Sequence, residues 1–236
     1  MENKYRPSSL IERKEFYEKE FDIGKVKRWF RANGMQVPQI CAVDAGTETG
    51  IIIDRKLKGE MLYFKFDELL DKIKKYVPED VYYDRNRYEN PDKVLKELKF
   101  QGWERQELAF DIDSDNVECN CKNREKLCDS CIEKTFDWTK KMKKELEKDF
   151  RNMRIVYSGR GFHLHVLDKK AFFLTKEERR ELNKRFKEYP IDAWVSAGNI
   201  RLIRMPYSLN ALVSRKVIPI RDNFDMGKAY PKFLKN

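Results

Sequence analysis

The chain has 236 residues, enough for one large domain or two small ones, and a core of that size needs no disulfides. Its net charge of +10 and pI near 9.2 favour a polyanionic partner, although a Lys/Glu-rich surface is also typical of thermophilic proteins. No apolar run approaches the ~20 residues of a membrane span and no secretory signal opens the chain, so composition excludes a membrane protein and predicts a soluble, cytosolic one.

The N-terminal part predicts short helices and strands with no repeat and no low-complexity linker. Ser9 and Glu12 form a candidate capping box for a helix that breaks near Gly24 and stops at Gly34. Apolar runs then predict strands over residues 40–43, 50–53, 61–66 and 81–83, and helices over 67–76 and 90–98.

Two aspartates at the end of an apolar strand are the most informative feature. The sequence ELAFDID at 107–113 predicts a buried strand over 106–113. Because residues i and i+2 of a strand share a face, Asp111 and Asp113 project side by side while Ile112 faces the other way. Adjacent carboxylates repel unless a cation neutralises them, and hard Mg²⁺ or Mn²⁺ prefers oxygen ligands. The alternative is a pair of acids in a strand-end turn.

Four of the five cysteines cluster directly after this strand, with the spacing CxC-x6-CxxC. A cytosolic chain does not use such a cluster as a disulfide framework, and four close thiolates suit a tetrahedral Zn²⁺ site. The predicted zinc ligands are Cys119, Cys121, Cys128 and Cys131. Four unrelated free thiols are the alternative, and the isolated Cys41 is predicted to be a core residue.

The second half predicts a long charged helix followed by alternating strands and helices. Thr175 and Glu178 form a second candidate capping box. The predicted helices cover 129–150 and 175–188, and the predicted strands cover 153–157, 162–167, 199–205 and 217–220. The expected architecture is one α/β domain with a metal-clipped insertion.

A glycine-rich turn joins two of these strands in the sequence SGRGFHLH at 158–165. Such a turn can present backbone N–H groups, the Ser158 hydroxyl and the Arg160 guanidinium to an anion. His163 and His165, the two histidines of the chain, are i and i+2 on the following strand and share a face. The alternative is a hairpin with structural histidines.

A third acidic position lies further along, in the sequence IDAWVS at 191–196. Asp192 sits among apolar neighbours, where an isolated charge is costly, so it is a candidate third metal carboxylate; the alternative is a helix-cap or turn aspartate. Arg201 and Arg204 flank an apolar pair, which places at least one of them on a functional surface.

Three segments in this order resemble motifs of the archaeo-eukaryotic primase family, specifically its small catalytic subunit. The first is FDID at 110–113, followed by cysteines where that family inserts a zinc-binding knuckle. The second is SGRGFH at 158–163. The third is the D-x-x-V-S segment from Asp192, with a basic P-x-S segment after it. The resemblance spans residues 107–220, with a weaker match at 78–83.

The resemblance implies a mixed-sheet primase fold flanked by helices. It also implies a single catalytic domain over 1–236, with the zinc knuckle inserted at 114–131. The metal-binding carboxylates carry over onto Asp111, Asp113 and Asp192, and the nucleotide-binding residues onto Ser158, Arg160, His163 and Arg204.

The implied function is template-directed nucleotidyl transfer by a DNA primase catalytic subunit. It would make short RNA or mixed primers on single-stranded DNA from nucleoside triphosphates, with two Mg²⁺ or Mn²⁺ ions and a structural Zn²⁺. A primase large subunit is the implied protein partner. The implied location is the cytoplasm, at the nucleoid of an archaeon, or the nucleus in a eukaryote.

Two departures from the family pattern stand out. Asn210 occupies a position where relatives often carry histidine, and only about 25 residues join His165 to Asp192, where relatives often carry a helical subdomain. The chain is therefore interpreted as a compact catalytic core. Two alternatives remain open: a primer-extending repair or plasmid-type polymerase of the same superfamily, and a non-catalytic, zinc-containing nucleic-acid-binding module.

Overall fold

The structure is a computed structural model that describes residues 5–44, 61–118, 127–221 and 223–235. The strand predicted over 50–53 and the predicted zinc ligands Cys119 and Cys121 lie outside these residues.

The chain divides into two compact units. The first unit comprises Met1–Glu104, Leu202–Ile218 and Asp225–Asn236, and the second comprises Arg105–Arg201 and Pro219–Phe224. The chain enters the second unit twice and returns to the first each time, so neither unit is one continuous stretch. That residues 1–236 form a single catalytic domain stays a prediction.

The described helices of the first unit are α1 (Leu10–Lys19), α2 (Ile23–Ala32), α3 (Leu69–Tyr76) and α4 (Pro91–Glu97). The predicted capping box of α1 is confirmed, because the Ser9 hydroxyl accepts from the Glu12 N–H and the Glu12 carboxylate accepts from the Ser9 N–H. The break before α2 comes earlier than Gly24. Asp22 caps α2 by accepting from the N–H groups of Gly24 and Lys25, which satisfies donors that the first helical turn leaves over.

One antiparallel sheet organises the first unit. Its strands are β1 (Ile40–Asp44), β2 (Met61–Lys65), β3 (Asp80–Asp84), β9 (Leu202–Arg204), β10 (Leu209–Asn210) and β11 (Arg215–Lys216). They lie in the order β11-β10-β3-β1-β2, with β9 also paired to β3, and the short strand β4 (Asn86–Arg87) follows β3. The core of this unit packs on α2, where Phe30 meets Tyr83 edge-on at 5.2 Å between ring centroids. The predicted core residue Cys41 is fully buried in β1, so that prediction is confirmed.

A second sheet organises the second unit. Its strands are β6 (Leu108–Asp113), β7 (Met153–Tyr157), β8 (Gly161–Val166) and β12 (Ile218–Ile220), in the order β12-β7-β8-β6. The two-residue strand β5 (Arg105–Gln106) precedes β6. The β7–β8 hairpin pairs Tyr157 with Phe162, and Phe162 packs against Phe136 of the long helix at 5.1 Å.

The helices of this unit are α5 (Asp129–Leu146), α6 (Lys176–Lys184) and α7 (Ala193–Ser196). The capping box predicted at Thr175 is confirmed. Both longer helices end four residues before their predicted ends at 150 and 188. After α6 the chain continues in turns, in which the N–H of Phe186 donates to the carbonyl of Asn183, three residues earlier. The apolar spacing that predicted a longer helix here is therefore that of a series of turns.

The α/β class is confirmed in its coarse form. The strand pairs β1–β2, β1–β3, β3–β9, β3–β10, β10–β11, β6–β8 and β7–β8 are antiparallel, and the mixed character of the sheet stays a prediction. The short link between β7 and β8 allows only a hairpin, because parallel neighbours need a long crossover. No helix within the described ranges is long and apolar enough to cross a membrane.

Candidate active site

The two predicted carboxylates lie at the C-terminal end of β6. Asp111 and Asp113 are half-buried, whereas Ile112 between them is fully buried, which confirms the predicted alternation of faces. The Asp111 side chain is 29% exposed. Asp113 caps the short turn that follows, with Oδ1 accepting from the Asp115 N–H at 3.2 Å. The strand therefore presents two partly accessible negative charges from a rigid, buried backbone.

Strand β8 brings the histidines alongside this acidic end. In the antiparallel register Asp111 lies opposite His163 and Asp113 lies opposite Gly161. The imidazole Nε2 of His163 is 3.7 Å from Asp111 Oδ1, and His163 is only 3% exposed. Directly opposed residues of an antiparallel pair have neighbouring side chains, so the register itself joins the first and second sequence motifs.

The turn between β7 and β8 is held by its own backbone. The Ser158 N–H donates to Gly161 O at 2.9 Å, and the Tyr157 hydroxyl donates to Gly159 O at 2.6 Å. Gly159 has φ +102°, a conformation that a residue with a side chain rarely adopts. Arg160 extends from this turn and forms an ion pair with Asp115. The turn thus places a guanidinium next to the segment that follows Asp113.

Asp192 is brought to the opposite edge of β6. Its backbone N–H donates to Asp111 O at 2.8 Å, and Ile191 forms an antiparallel bridge with Ile112. Its Oδ1 accepts from the Trp194 N–H at 2.8 Å and caps α7. The helix-cap alternative is therefore correct for this side chain. The backbone bond also places Asp192 next to Asp111, which is the position expected of a third metal carboxylate. A carboxylate has two oxygens, so capping and ligation are compatible.

The described residues contain no group of three or more His, Cys, Asp or Glu side chains arranged to hold a metal ion. The donor set still fits Mg²⁺ or Mn²⁺, because Asp111, Asp113 and Asp192 offer oxygens from adjoining backbone and are not fully buried. That they bind metal stays a prediction.

Two of the four predicted zinc ligands are described. The Cys128 Sγ lies 3.2 Å from the Cys131 Sγ and accepts from the Cys131 N–H, so Cys128 also caps α5. Thiolates on one tetrahedral Zn²⁺ with ~2.3 Å bonds are about 3.8 Å apart, so this pair lies closer together than two zinc ligands would, and the zinc site stays a prediction.

Arg204, the last predicted nucleotide-binding residue, lies on β9 in the first unit. Its Nε and Nη2 donate to the two carboxylate oxygens of buried Asp80 at 2.9 and 2.7 Å. The neighbouring Tyr82 phenol donates to Asp80 Oδ2. Its burial raises the pKa of this phenol, and the negative charge of Asp80 raises that pKa further. Any phosphate bound by Arg204 shares the guanidinium with Asp80. Asn210, which stands where relatives often carry histidine, is fully buried in β10.

A buried carboxylate–imidazole pair was not predicted from the sequence. The Glu107 Oε1 and the His165 Nδ1 are 2.5 Å apart, both residues are almost fully buried, and the His165 ring lies 5.8 Å from that of His163. Fully buried Arg179 donates to the backbone carbonyl of Gln106 at 2.6 Å. For Glu107 the signal was a charged residue at the start of an apolar run, which predicts a partner but does not identify it. Arg179 lies in the charged segment KEERRELNK, where the sequence gives no such signal.

The chain is similar to known proteins over most of its length. A family described as "DNA primase small subunit" matches residues 110–190. An "uncharacterized DNA primase small subunit-like protein" of Archaeoglobus fulgidus is 39% identical over 241 residues, covering 91% of this chain and 85% of that protein.

Longer relatives match over part of their length. The DNA primase small subunit of Pyrobaculum calidifontis is 32% identical over 52% of this chain and 42% of its own length. That of Pyrococcus furiosus is 30% identical over 72% of this chain and 46% of its own length. The chain thus spans less than half the length of these two subunits.

One solved structure shares the fold. The polymerase domain of Mycobacterium tuberculosis ligase D, in complex with DNA, superposes with a TM-score of 0.54 at 12% identity, covering 87% of this chain and 80% of that one.

Proposed function

The chain belongs to the family of DNA primase small subunits, and from that premise we propose that it makes short RNA or mixed primers on single-stranded DNA by template-directed nucleotidyl transfer. One observation carries the proposal. Strand β6 holds Asp111 and Asp113 with His163 on one edge and Asp192 on the other, and all four lie within the second unit.

The three carboxylates are proposed to hold two Mg²⁺ or Mn²⁺ ions, which when bound supply charge neutralisation for an in-line displacement at the α-phosphate. The chain's own contribution is position. Asp111 and Asp113 are fixed by the sheet, and Asp192 is fixed by its backbone bond to Asp111 and by α7. Partial burial keeps the carboxylates accessible to a substrate while excluding much of the bulk water that would weaken their interaction with a cation.

The glycine turn is proposed to bind the triphosphate. Backbone N–H groups of the turn, the Ser158 hydroxyl, the Arg160 guanidinium and the His163 imidazole are all donors suited to phosphate oxygens. Arg160 is paired with Asp115 before substrate binds, so a triphosphate competes with that carboxylate. Arg204 is proposed as a further phosphate contact.

The proposed partners follow from the charge and the family. A net charge of +10 suits a single-stranded DNA template, and binding through phosphate contacts weakens as salt rises. A primase large subunit is proposed as the protein partner.

A primer-extending polymerase of the same superfamily is the second candidate. It is favoured by the compact link between β8 and α7. The structure describes every residue of this link, and α6 is its one α-helix. The rest of the link consists of turns and a short 3-10 segment over Lys169–Phe173.

Synthesis on an unprimed template tests the proposed function and separates the two candidates. We expect labelled NTPs and single-stranded DNA to yield short RNA products without an added primer, because primer initiation is the defining step of a primase. Products that form only when a primer is annealed would assign the chain to the second candidate. The absence of both kinds of product, with the protein folded and metal present, would leave only a binding role.

Removing zinc is expected to loosen residues 114–131 and to lower the melting temperature, because a structural zinc site contributes directly to folding. Zinc content, thermal unfolding and limited proteolysis are the measurements. Cys128→Ser should lose the zinc, whereas Cys41→Ala is the matched control that keeps it, since Cys41 is buried in β1 of the first unit. Unchanged unfolding after chelation would show that no structural zinc is present.

A further inference from the structure

Trp194 is an exposed aromatic residue directly beside a proposed metal carboxylate. Trp194 is 67% exposed, and its backbone N–H donates to Asp192 Oδ1 at 2.8 Å. Its carbonyl accepts from the N–H groups of Asn199 and Ile200, so the backbone at Trp194 is held on both sides. An exposed indole has a flat apolar face on which an aromatic ligand can stack.

The two edges of β6 carry different groups. The edge towards β8 faces His163 and Gly161, and β8 begins at the glycine turn with Arg160. The other edge, which none of the described strands of the sheet covers, receives the bridge from Ile191 and the backbone bond from Asp192. The triphosphate donors and Trp194 are therefore on opposite edges of the strand that carries the two aspartates.

This arrangement matches the two sides of an in-line displacement. The leaving pyrophosphate and the attacking hydroxyl lie on opposite sides of the reacting phosphorus, with metal ions holding both. If the triphosphate occupies the β8 edge, the nucleotide that supplies the 3′-hydroxyl occupies the edge of Asp192. Bases of single strands stack on aromatic side chains irrespective of sequence.

We propose that Trp194 is a stacking platform for a base of the bound nucleic-acid strand on the 3′-hydroxyl side of the active site. The inference rests on the proposed nucleotidyl transfer, because it uses the direction of that reaction. It goes beyond it by assigning a side chain to the strand side, which none of the sequence motifs addresses. Ile200, whose backbone N–H donates to the Trp194 carbonyl, is a second exposed apolar residue at 41%.

Binding of a short 5′-labelled single-stranded oligonucleotide tests the proposal without any turnover. With no added divalent metal, Trp194→Ala is expected to weaken binding by about 10-fold, and Trp194→Phe by much less, because a ring remains for stacking. Phe173→Ala is the matched control. Phe173 is 63% exposed in the same unit, but it follows the far end of β8, and its loss should leave affinity unchanged.

Tryptophan fluorescence gives a second readout. The chain has four tryptophans, so the difference between the parent protein and Trp194→Phe isolates the emission of Trp194. We expect the oligonucleotide to quench that emission and ATP alone to leave it unchanged. Quenching by ATP instead, with weakened ATP binding in Trp194→Ala, would overturn the proposal by assigning the indole to the incoming nucleotide.

The outcome is distinguishable from a failure of the proposed function. If the parent protein synthesises primers and Trp194→Ala binds the oligonucleotide as tightly as the parent does, the stacking proposal is wrong and the function stands. If no synthesis occurs but Trp194→Ala loses oligonucleotide affinity, the platform stands as a binding site and the assignment of its 3′-hydroxyl side is overturned.

Discussion

Replacing both Asp111 and Asp113 by asparagine is expected to reduce nucleotide incorporation by at least about 1,000-fold. A neutral amide is a poor ligand for Mg²⁺ or Mn²⁺, so the reacting phosphate would lose several kcal/mol of charge stabilisation. The fold should survive, because asparagine keeps the shape of each side chain, and the amide oxygen at position 113 can still accept from the Asp115 N–H. Removing two adjacent like charges also relieves repulsion on β6.

Single-turnover extension of a labelled strand measures the loss, and thermal unfolding checks the fold. Asp137→Asn is the matched control, since Asp137 lies on α5 in the same unit and its ion pair with Lys140 is largely exposed. It should change neither rate nor melting temperature appreciably, because exposed pairs contribute little. Calorimetry should show that Mn²⁺ binds the parent and the control but not the double variant. Retained synthesis in a folded double variant would sink the assignment of these carboxylates.

The pair Asp111 and Asp113 was predictable from the sequence, because the periodicity of a strand alone determines which of its residues share a face. Periodicity does not determine which strands become neighbours. The contact between Asp111 and His163 depends on the register of β6 against β8, and the bond from Asp192 to Asp111 joins residues far apart in the sequence. Only the family resemblance placed these three residues in one site before the structure did.

Partners of buried charges were the least predictable part. Arg204 was assigned to phosphate from its motif, yet its described partner is Asp80, 124 positions away in the chain. Glu107 lies in the same segment as the two aspartates, but its partner His165 is 58 positions away. A costly buried charge predicts that some partner exists, whereas the pairing is a property of the folded packing. Helix starts were better predicted than helix ends, because capping boxes are local.

Gly161→Ala is expected to lower the free energy of unfolding by about 3 kcal/mol or more and to abolish incorporation. A Cβ at this position would lie 2.2 Å from the carbonyl oxygen of Ile112 and 3.0 Å from the Cα of Asp113. Both atoms belong to the backbone of β6, so neither can rotate away. Relief requires β8 to separate from β6 at the end that carries Asp113, and the ladder between the two strands opens there.

Gly227→Ala provides the comparison, because the nearest atom to its added Cβ is a side-chain oxygen of Asp225 at 3.1 Å, which can shift. We expect that control to lose less than about 1 kcal/mol. Urea unfolding of both variants measures the difference. A Gly161→Ala protein as stable as its parent would mean that β6 and β8 do not approach as closely as described. The close approach is also what aligns the acidic end of β6 with the glycine turn. A Gly161→Ala protein that is destabilised yet still folded, and inactive under conditions where it is folded, would therefore locate the loss of activity in the alignment of Asp113.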